Sequence, residues 1–196
     1  MEKNSKFIED LKVRIAEGDF EALNLLYKYY YKRLKLYGNQ FSPKLIGMSL
    51  DDTIQELFLW IAKNPQKLKE IKNLEVYLFS AFKKNIFQEI YKYENRQKVK
   101  NRFIESTNFE SYASSPENKI IESERTSNNS ILINNLLNTL SPKQKEVIYL
   151  RNYLNMSYNE IAEIMELSEQ VVRNYGFRAL QKLRTTYSNE KGRKEA

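Results

Sequence analysis

The 196-residue chain has no cysteine and no histidine. The first absence removes disulfides, thiolate nucleophiles and cysteine-based zinc sites. The second removes the commonest general base and metal ligand. Carboxylates and lysines remain, but no acid–base constellation stands out among them, so no catalytic residue, metal or cofactor is expected. Glycine and proline are scarce, at 5 and 4 residues, which argues against an all-β fold built on many tight turns. No apolar run approaches the ~20 residues needed to span a bilayer. The opening Met1-Glu2-Lys3-Asn4-Ser5-Lys6 has no apolar signal core. The expected location is the cytoplasm, without membrane insertion.

What is present is aromatic and basic. Tyrosine numbers 14 and phenylalanine 10, and 32 Lys and Arg against 25 Asp and Glu give a net charge of +7. That balance fits either a polyanionic partner or a merely basic surface. Hydrophobic residues at 41% suffice for a core in each of two small domains.

Composition divides the chain. Residues 1–102 are apolar, aromatic and helix-patterned. Residues 103–129 are polar, with Tyr112-Ala113-Ser114-Ser115-Pro116 and Ser127-Asn128-Asn129-Ser130, and read as a flexible acidic linker. Residues 130–187 are helix-patterned again, and 188–196 read as a disordered tail. The expected fold is all-α: two small helical domains, the C-terminal one a helix-turn-helix.

In the first zone Asp19 is a candidate N-cap for a helix carrying Phe20, Leu23, Leu26, Tyr27, Tyr30 and Leu34 on one face. A second helix starts after Ser49, with Asp51 and Asp52 suited to its positive end, and stops at Asn64-Pro65. A third runs from about Leu74 to Arg96. Along it, Tyr77, Phe79, Phe82, Phe87, Tyr91 and Tyr93 interleave with Lys83, Lys84, Asn85, Lys92 and Arg96. Such a mixture suits capture of single-stranded nucleic acid, bases stacking on rings and phosphates meeting cations. Most of these aromatics can instead be core, and that is expected of Phe79, Phe82 and Phe87.

The third zone is punctuated most clearly. Ser141-Pro142-Lys143-Gln144 joins an N-cap Ser, Pro at the first helical position and Gln at the third. Ser157-Tyr158-Asn159-Glu160 is a second capping box, opening a short helix with Ile161, Ala162, Ile164 and Met165. Ser168 then caps a longer helix through Val172, Ala179, Leu180 and Leu183. A short helix, a tight turn at 166–168 and a longer helix make a helix-turn-helix. Its second helix can enter the major groove, where Arg reads guanine and Asn or Gln reads adenine. The exposed candidates are Ser168, Gln170, Arg173, Asn174, Phe177 and Arg178. Over 169–184, Arg173, Arg178, Lys182 and Arg184 oppose Glu169 alone, which suits phosphate contacts. A plain helical hairpin with a solvated basic face is the alternative.

Leu140–Val147, Tyr158–Ala162, Val171-Val172-Arg173 and Arg178–Arg184 resemble the fourth region of sigma factors. Asp52-Thr53-Ile54-Gln55-Glu56-Leu57-Phe58, with Gly18-Asp19 upstream and Tyr77-Leu78-Phe79 downstream, resembles the second. Both in this order, with no room for other regions, are similar to the extracytoplasmic-function group of the sigma-70 family of RNA polymerase sigma factors. The resemblance implies a non-enzymatic subunit that binds core RNA polymerase and directs promoter recognition, DNA melting and transcription initiation. It implies that Asp52, Gln55 and Glu56 meet the clamp helices of the largest polymerase subunit, while the flap is a further contact. It implies that Tyr77, Lys83, Lys84, Asn85, Tyr91, Lys92 and Arg96 handle the melted −10 strand, and that the recognition helix reads the −35 duplex. Promoter DNA and core RNA polymerase are thus the expected partners, with an anti-sigma factor a candidate third. The linker, in that setting, is either a nucleic-acid mimic or a solvated tether. Two residues depart from the family pattern. Glu166 stands where a turn glycine is usual, which implies a strained positive φ. Gly176 stands in mid-helix at a usually apolar position.

Other classes remain as alternatives: a stand-alone helix-turn-helix regulator with an N-terminal sensing domain, a protein-interaction bundle, and a carboxylate or lysine enzyme. The first would bind duplex DNA without polymerase, usually as a dimer, but the sequence shows no coiled-coil segment.

Overall fold

A computed structural model describes residues 2–44, 49–107, 133 and 135–194. Among the described residues the structure is helical throughout, and no helix is long and apolar enough to cross a membrane.

The N-terminal unit holds four α-helices: α1 (Glu2–Ala16), α2 (Phe20–Gly38), α3 (Leu50–Lys63) and α4 (Leu74–Thr107). Short 3₁₀ segments, Asn39–Lys44 and Pro65–Glu70, follow α2 and α3. The α1–α2 corner turns at Gly18, whose φ of 93° suits a residue without Cβ. Asp19 then caps α2 by accepting from the Glu21 and Ala22 N–H groups at 2.8 and 3.1 Å. These bonds, and the Arg14 guanidinium, hold the Asp19 carboxyl below the usual aspartate range. Ser49 caps α3 through the Asp52 N–H, and Asn64-Pro65 ends it.

The helices close on Leu11, Leu26, Tyr30, Leu34, Tyr37, Ile54, Ile61, Phe79 and Phe82, all fully buried. Burying each such side chain contributes about 1.5–3 kcal/mol. Two expected faces need correction. Phe20 leads the apolar stripe of α2 in sequence, yet it is 77% exposed, because the first turn of α2 begins outside the core. Phe87 lies on the open side of α4 and meets Phe41 edge to face instead of joining the core.

The C-terminal unit holds α5 (Pro142–Ile148), a π turn (Tyr149–Tyr153), α6 (Tyr158–Met165) and α7 (Glu169–Lys194). Both expected capping boxes are present with reciprocal bonds, Ser141 with Gln144 and Ser157 with Glu160. Glu166 ends α6 in the left-handed region at φ 54°, ψ 45°. The Leu167 N–H donates to the Ala162 carbonyl at 3.0 Å, the six-to-one bond of a Schellman end. Val172 is fully buried in the angle between α6 and α7, and Ala162 and Ala179 are buried nearby.

Two boundaries differ from expectation. Helix α4 continues past Arg102 through Thr107, into the start of the expected linker, and α7 stays helical to Lys194 where a disordered tail was expected. The α7 extension carries Glu190, Lys191, Arg193 and Lys194, which are good helix formers without needing a core. The rest of the expected linker, residues 108–129, lies outside the described residues.

The two units pack against each other, and their apolar residues form one continuous cluster. Helix α6 lies along α4. An aromatic column crosses the boundary: Phe79 meets Tyr37 edge on, Tyr37 stacks on Tyr149, and Tyr149 stacks on Tyr153, at centroid distances of 5.3, 6.0 and 5.0 Å.

Candidate nucleic-acid interface

The exposed stripe on α7 is built by spacing. Gln170, Arg173, Asn174, Phe177 and Arg178 fall at three- and four-residue steps, so they share one stripe. All five are exposed, as is Ser168 at the turn, and Phe177 retains 69% of its accessibility. Val172, Gly176 and Ala179 occupy the opposite, buried side. The structure thus gathers five of the six expected duplex-facing residues on one stripe, with Ser168 exposed at the turn before it. Ser168 Oγ accepts from the Val171 N–H at 3.4 Å. Gln170 donates to Asn174 Oδ1 at 3.3 Å. Arg173 Nε donates to Glu169 Oε1 at 2.9 Å, and its Nη2 meets the same oxygen. Lys182 bonds the Thr139 carbonyl and so ties α7 to the turn before α5.

The residues assigned to a melted strand do not converge on one pocket. They follow α4 as a track, and Tyr77 and Arg96 stand about 29 Å apart along the axis at the helical rise. Tyr77 is half-buried, packed on Trp60 at 5.9 Å, and burial pushes its hydroxyl pKa up. Asn85 is half-buried, whereas Lys84, Lys92 and Arg96 are exposed and Tyr91 is 65% exposed. Lys92 pairs with Glu89 at 2.6 Å. Lys83, Lys84, Phe87 and Tyr91 form one wall of a 390 Å³ groove, with Ile164 and Glu166 of the C-terminal unit opposite.

Lys83 is engaged elsewhere than expected. Its ammonium donates to Glu146 Oε1 at 2.8 Å and to the Ile164 carbonyl, near the negative end of α6, at 3.4 Å. The Tyr37 hydroxyl donates to the same Glu146 oxygen at 2.6 Å. Glu146 is only 5% exposed. Burial and the adjacent carboxylate drive the Tyr37 pKa far up, so the phenol stays a donor. Two further bonds cross the boundary: Tyr149 Oη donates to the Arg33 carbonyl at 2.8 Å, and Asn73 donates to Glu160 at 2.8 Å. Sequence reasoning passed over Glu146, Tyr37 and Tyr149. Glu146 carried a weak signal, being an acidic residue directly before Val147 on the core face of α5.

The acidic edge of α3 is where spacing put it. Asp52, Gln55 and Glu56 are exposed and border a 630 Å³ groove between α2 and α3, floored by Leu23, Tyr27 and Phe58. Exposed Phe20 and Leu59 rim the same groove. A partner with basic residues around an apolar ridge fits this arrangement. Among the described residues no His, Cys, Asp and Glu cluster is arranged to hold a metal ion.

Residues 130–183 match the family model described as Sigma-70, region 4. No curated protein matches the chain. Among solved structures, that of CnrH in complex with the cytosolic domain of CnrY aligns with a TM-score of 0.57 and 17% identity. The alignment covers 93% of this chain and 98% of that one. A second is the sigma factor RpoE in complex with the anti-sigma factor NepR from Bartonella quintana. It gives a TM-score of 0.39 and 18% identity, covering 83% of this chain and 98% of that one. The matched segment, a little over a quarter of the chain, holds both capping boxes, the turn at Glu166 and the whole exposed stripe of α7.

Proposed function

We propose that the chain is an extracytoplasmic-function sigma factor that binds core RNA polymerase, recognises a promoter through both units, and directs melting and initiation. The observation that carries this reading is the region 4 helix-turn-helix with its complete polar stripe facing outward. Arg173, Asn174 and Gln170 supply the donors and acceptors that distinguish bases in the major groove of the −35 element. Arg178 and Lys182 supply phosphate contacts. The acidic rim of the α2–α3 groove docks on basic residues of the polymerase clamp helices. The aromatic–basic track of α4 receives the unpaired −10 strand, Tyr91 and Phe87 offering ring faces and Lys84, Lys92 and Arg96 offering charge. Catalysis and its metals belong to the polymerase.

The packed arrangement adds a requirement. The groove between α4 and α6 must widen, and Lys83 must leave Glu146, before a DNA strand can lie along that part of α4. CnrH was solved with the cytosolic domain of CnrY, and a comparable protein partner is proposed for this chain.

Reconstituted transcription with core polymerase and a promoter library tests the reading. Arg173→Ala and Asn174→Ala weaken −35-dependent initiation while core binding persists. Asp52→Lys reduces recovery of the chain with core polymerase in a pull-down. Failure of the parent chain to bind core polymerase refutes the proposal.

A further inference from the structure

We propose that Tyr158 is a positioning residue for base recognition by Arg173. This inference rests on the −35 reading above and deepens it. Tyr158 is the first residue of α6 and does not belong to the exposed stripe of α7. Its ring nevertheless lies under the Arg173 guanidinium, with the charged carbon 4.7 Å from the ring centroid. The Arg151 guanidinium sits 4.9 Å from the same ring. Arg151 also donates to the Met156 carbonyl at 2.7 Å, which ties it to the segment leading into α6.

Space for this phenol comes from Gly176. A Cβ built there would lie 3.4 Å from Tyr158 Cε1 and Oη and from Val147 Cγ1. A methyl group just fits, and a branched side chain would displace the ring. The mid-helix glycine thus has a packing reason: it lets the phenol slide beneath the recognition helix.

The physical consequence falls on Arg173. A planar guanidinium stacks well on an aromatic face, and a stacked arginine has less side-chain freedom left to lose when it binds. Glu169 draws Nε and Nη2 along the helix. The ring fixes the plane of the fork, so that Arg173 meets a guanine edge without first being ordered. Tyr158 itself touches no base in this account and acts through Arg173.

The test uses the full chain assembled with core polymerase, on the best promoter from the library selection, with duplex −35 affinity and base preference as readouts. Tyr158→Leu weakens binding about threefold to fivefold, the scale of one partly exposed cation–π contact, and relaxes preference at the same base pair as Arg173→Ala. Tyr158→Phe keeps the ring and stays within about twofold of the parent. In the Arg173→Ala background, Tyr158→Leu has no further effect, whereas a merely structural loss would persist there. Gly176→Leu, which expels the ring without removing it, reproduces Tyr158→Leu and serves where that variant folds poorly. The inference is overturned if the effect of Tyr158→Leu survives in the Arg173→Ala background, or if Phe fails to rescue. If Arg173→Ala alone changes neither affinity nor preference, the −35 reading itself has failed, a result separable from the other two.

Discussion

Replacing Glu146 with leucine measures how firmly the two helical units are joined. Its Oε1 accepts a 2.6 Å bond from Tyr37 and a 2.8 Å bond from Lys83. Removing the carboxylate leaves the buried Tyr37 hydroxyl without an acceptor, which costs about 1–3 kcal/mol. Breaking a fully buried ion pair from one side costs about 3–5 kcal/mol, but that figure is too large here. The Lys83 side chain keeps 18% of its accessibility and can turn to water, giving up only the distant Ile164 carbonyl. The apolar surface of the new leucine offsets part of the remainder. The expected net loss is about 2–3 kcal/mol, or a fall in Tm of about 4–12 °C for a chain of this size. Glu146→Gln keeps an acceptor for Tyr37 and loses about 1 kcal/mol. Thermal melts followed by circular dichroism give these values, and small-angle scattering reports whether the variant expands as the units part. Combined with Lys83→Met in a double-mutant cycle, the pair shows a coupling of about 1 kcal/mol or more. A leucine variant that melts with its parent, or a cycle that closes additively, refutes the claim that this triad holds the units together.

Glu166→Gly relieves a non-glycine left-handed backbone at φ 54° and raises stability by about 1 kcal/mol in urea unfolding; a loss would show that the Glu166 side chain matters more than its backbone. Gly38→Ala brings a Cβ to 2.7 Å from Leu50 Cδ2 and 3.2 Å from Phe82 Cε1, so it destabilises by about 1–3 kcal/mol through overpacking, read in the same assay. The Asp51 carboxyl accepts from Lys35 at 3.0 Å and from Tyr31 at 2.7 Å, which holds its pKa below the ordinary 3.8. The unfolded chain therefore binds this proton first, and stability is lost as pH falls from about 4 downward. Asp51→Asn flattens that part of the acid profile, and an unchanged slope would exclude the contribution.

What could be read from the sequence was local. A capping box is closed by residues three apart, so Ser141–Gln144 and Ser157–Glu160 announce two helix starts without any knowledge of the fold. The stripe Gln170, Arg173, Asn174, Phe177, Arg178 follows from helical period alone, and the structure exposes all of it. Even the anomaly at Glu166 was visible, because a helix-turn-helix corner demands a left-handed residue wherever the sequence stands there. Helix α1 was passed over although Ile8, Leu11 and Ile15 carry the period; its polar start masked a short apolar face. Period also misplaced Phe20 and Phe87, since it names the face of a helix but not how far the neighbouring helices reach along it.

Contacts between the units had no such signal. Tyr37 and Glu146 are separated by 109 residues and Lys83 and Glu146 by 63, and no spacing rule links positions that far apart. Lys83 shows the consequence most directly. By composition it is one more cation in an aromatic–basic helix, and among exposed residues that description would fit DNA. Its environment decides otherwise in this state: the buried Glu146 carboxylate takes the Lys83 ammonium at 2.8 Å. The same side chain can serve a phosphate only when it leaves Glu146. On the function proposed above, occupation of the α4 track by a DNA strand and docking of α5 and α6 against it are therefore alternatives that share one ammonium group, and the strength of the Glu146 triad sets which of them prevails.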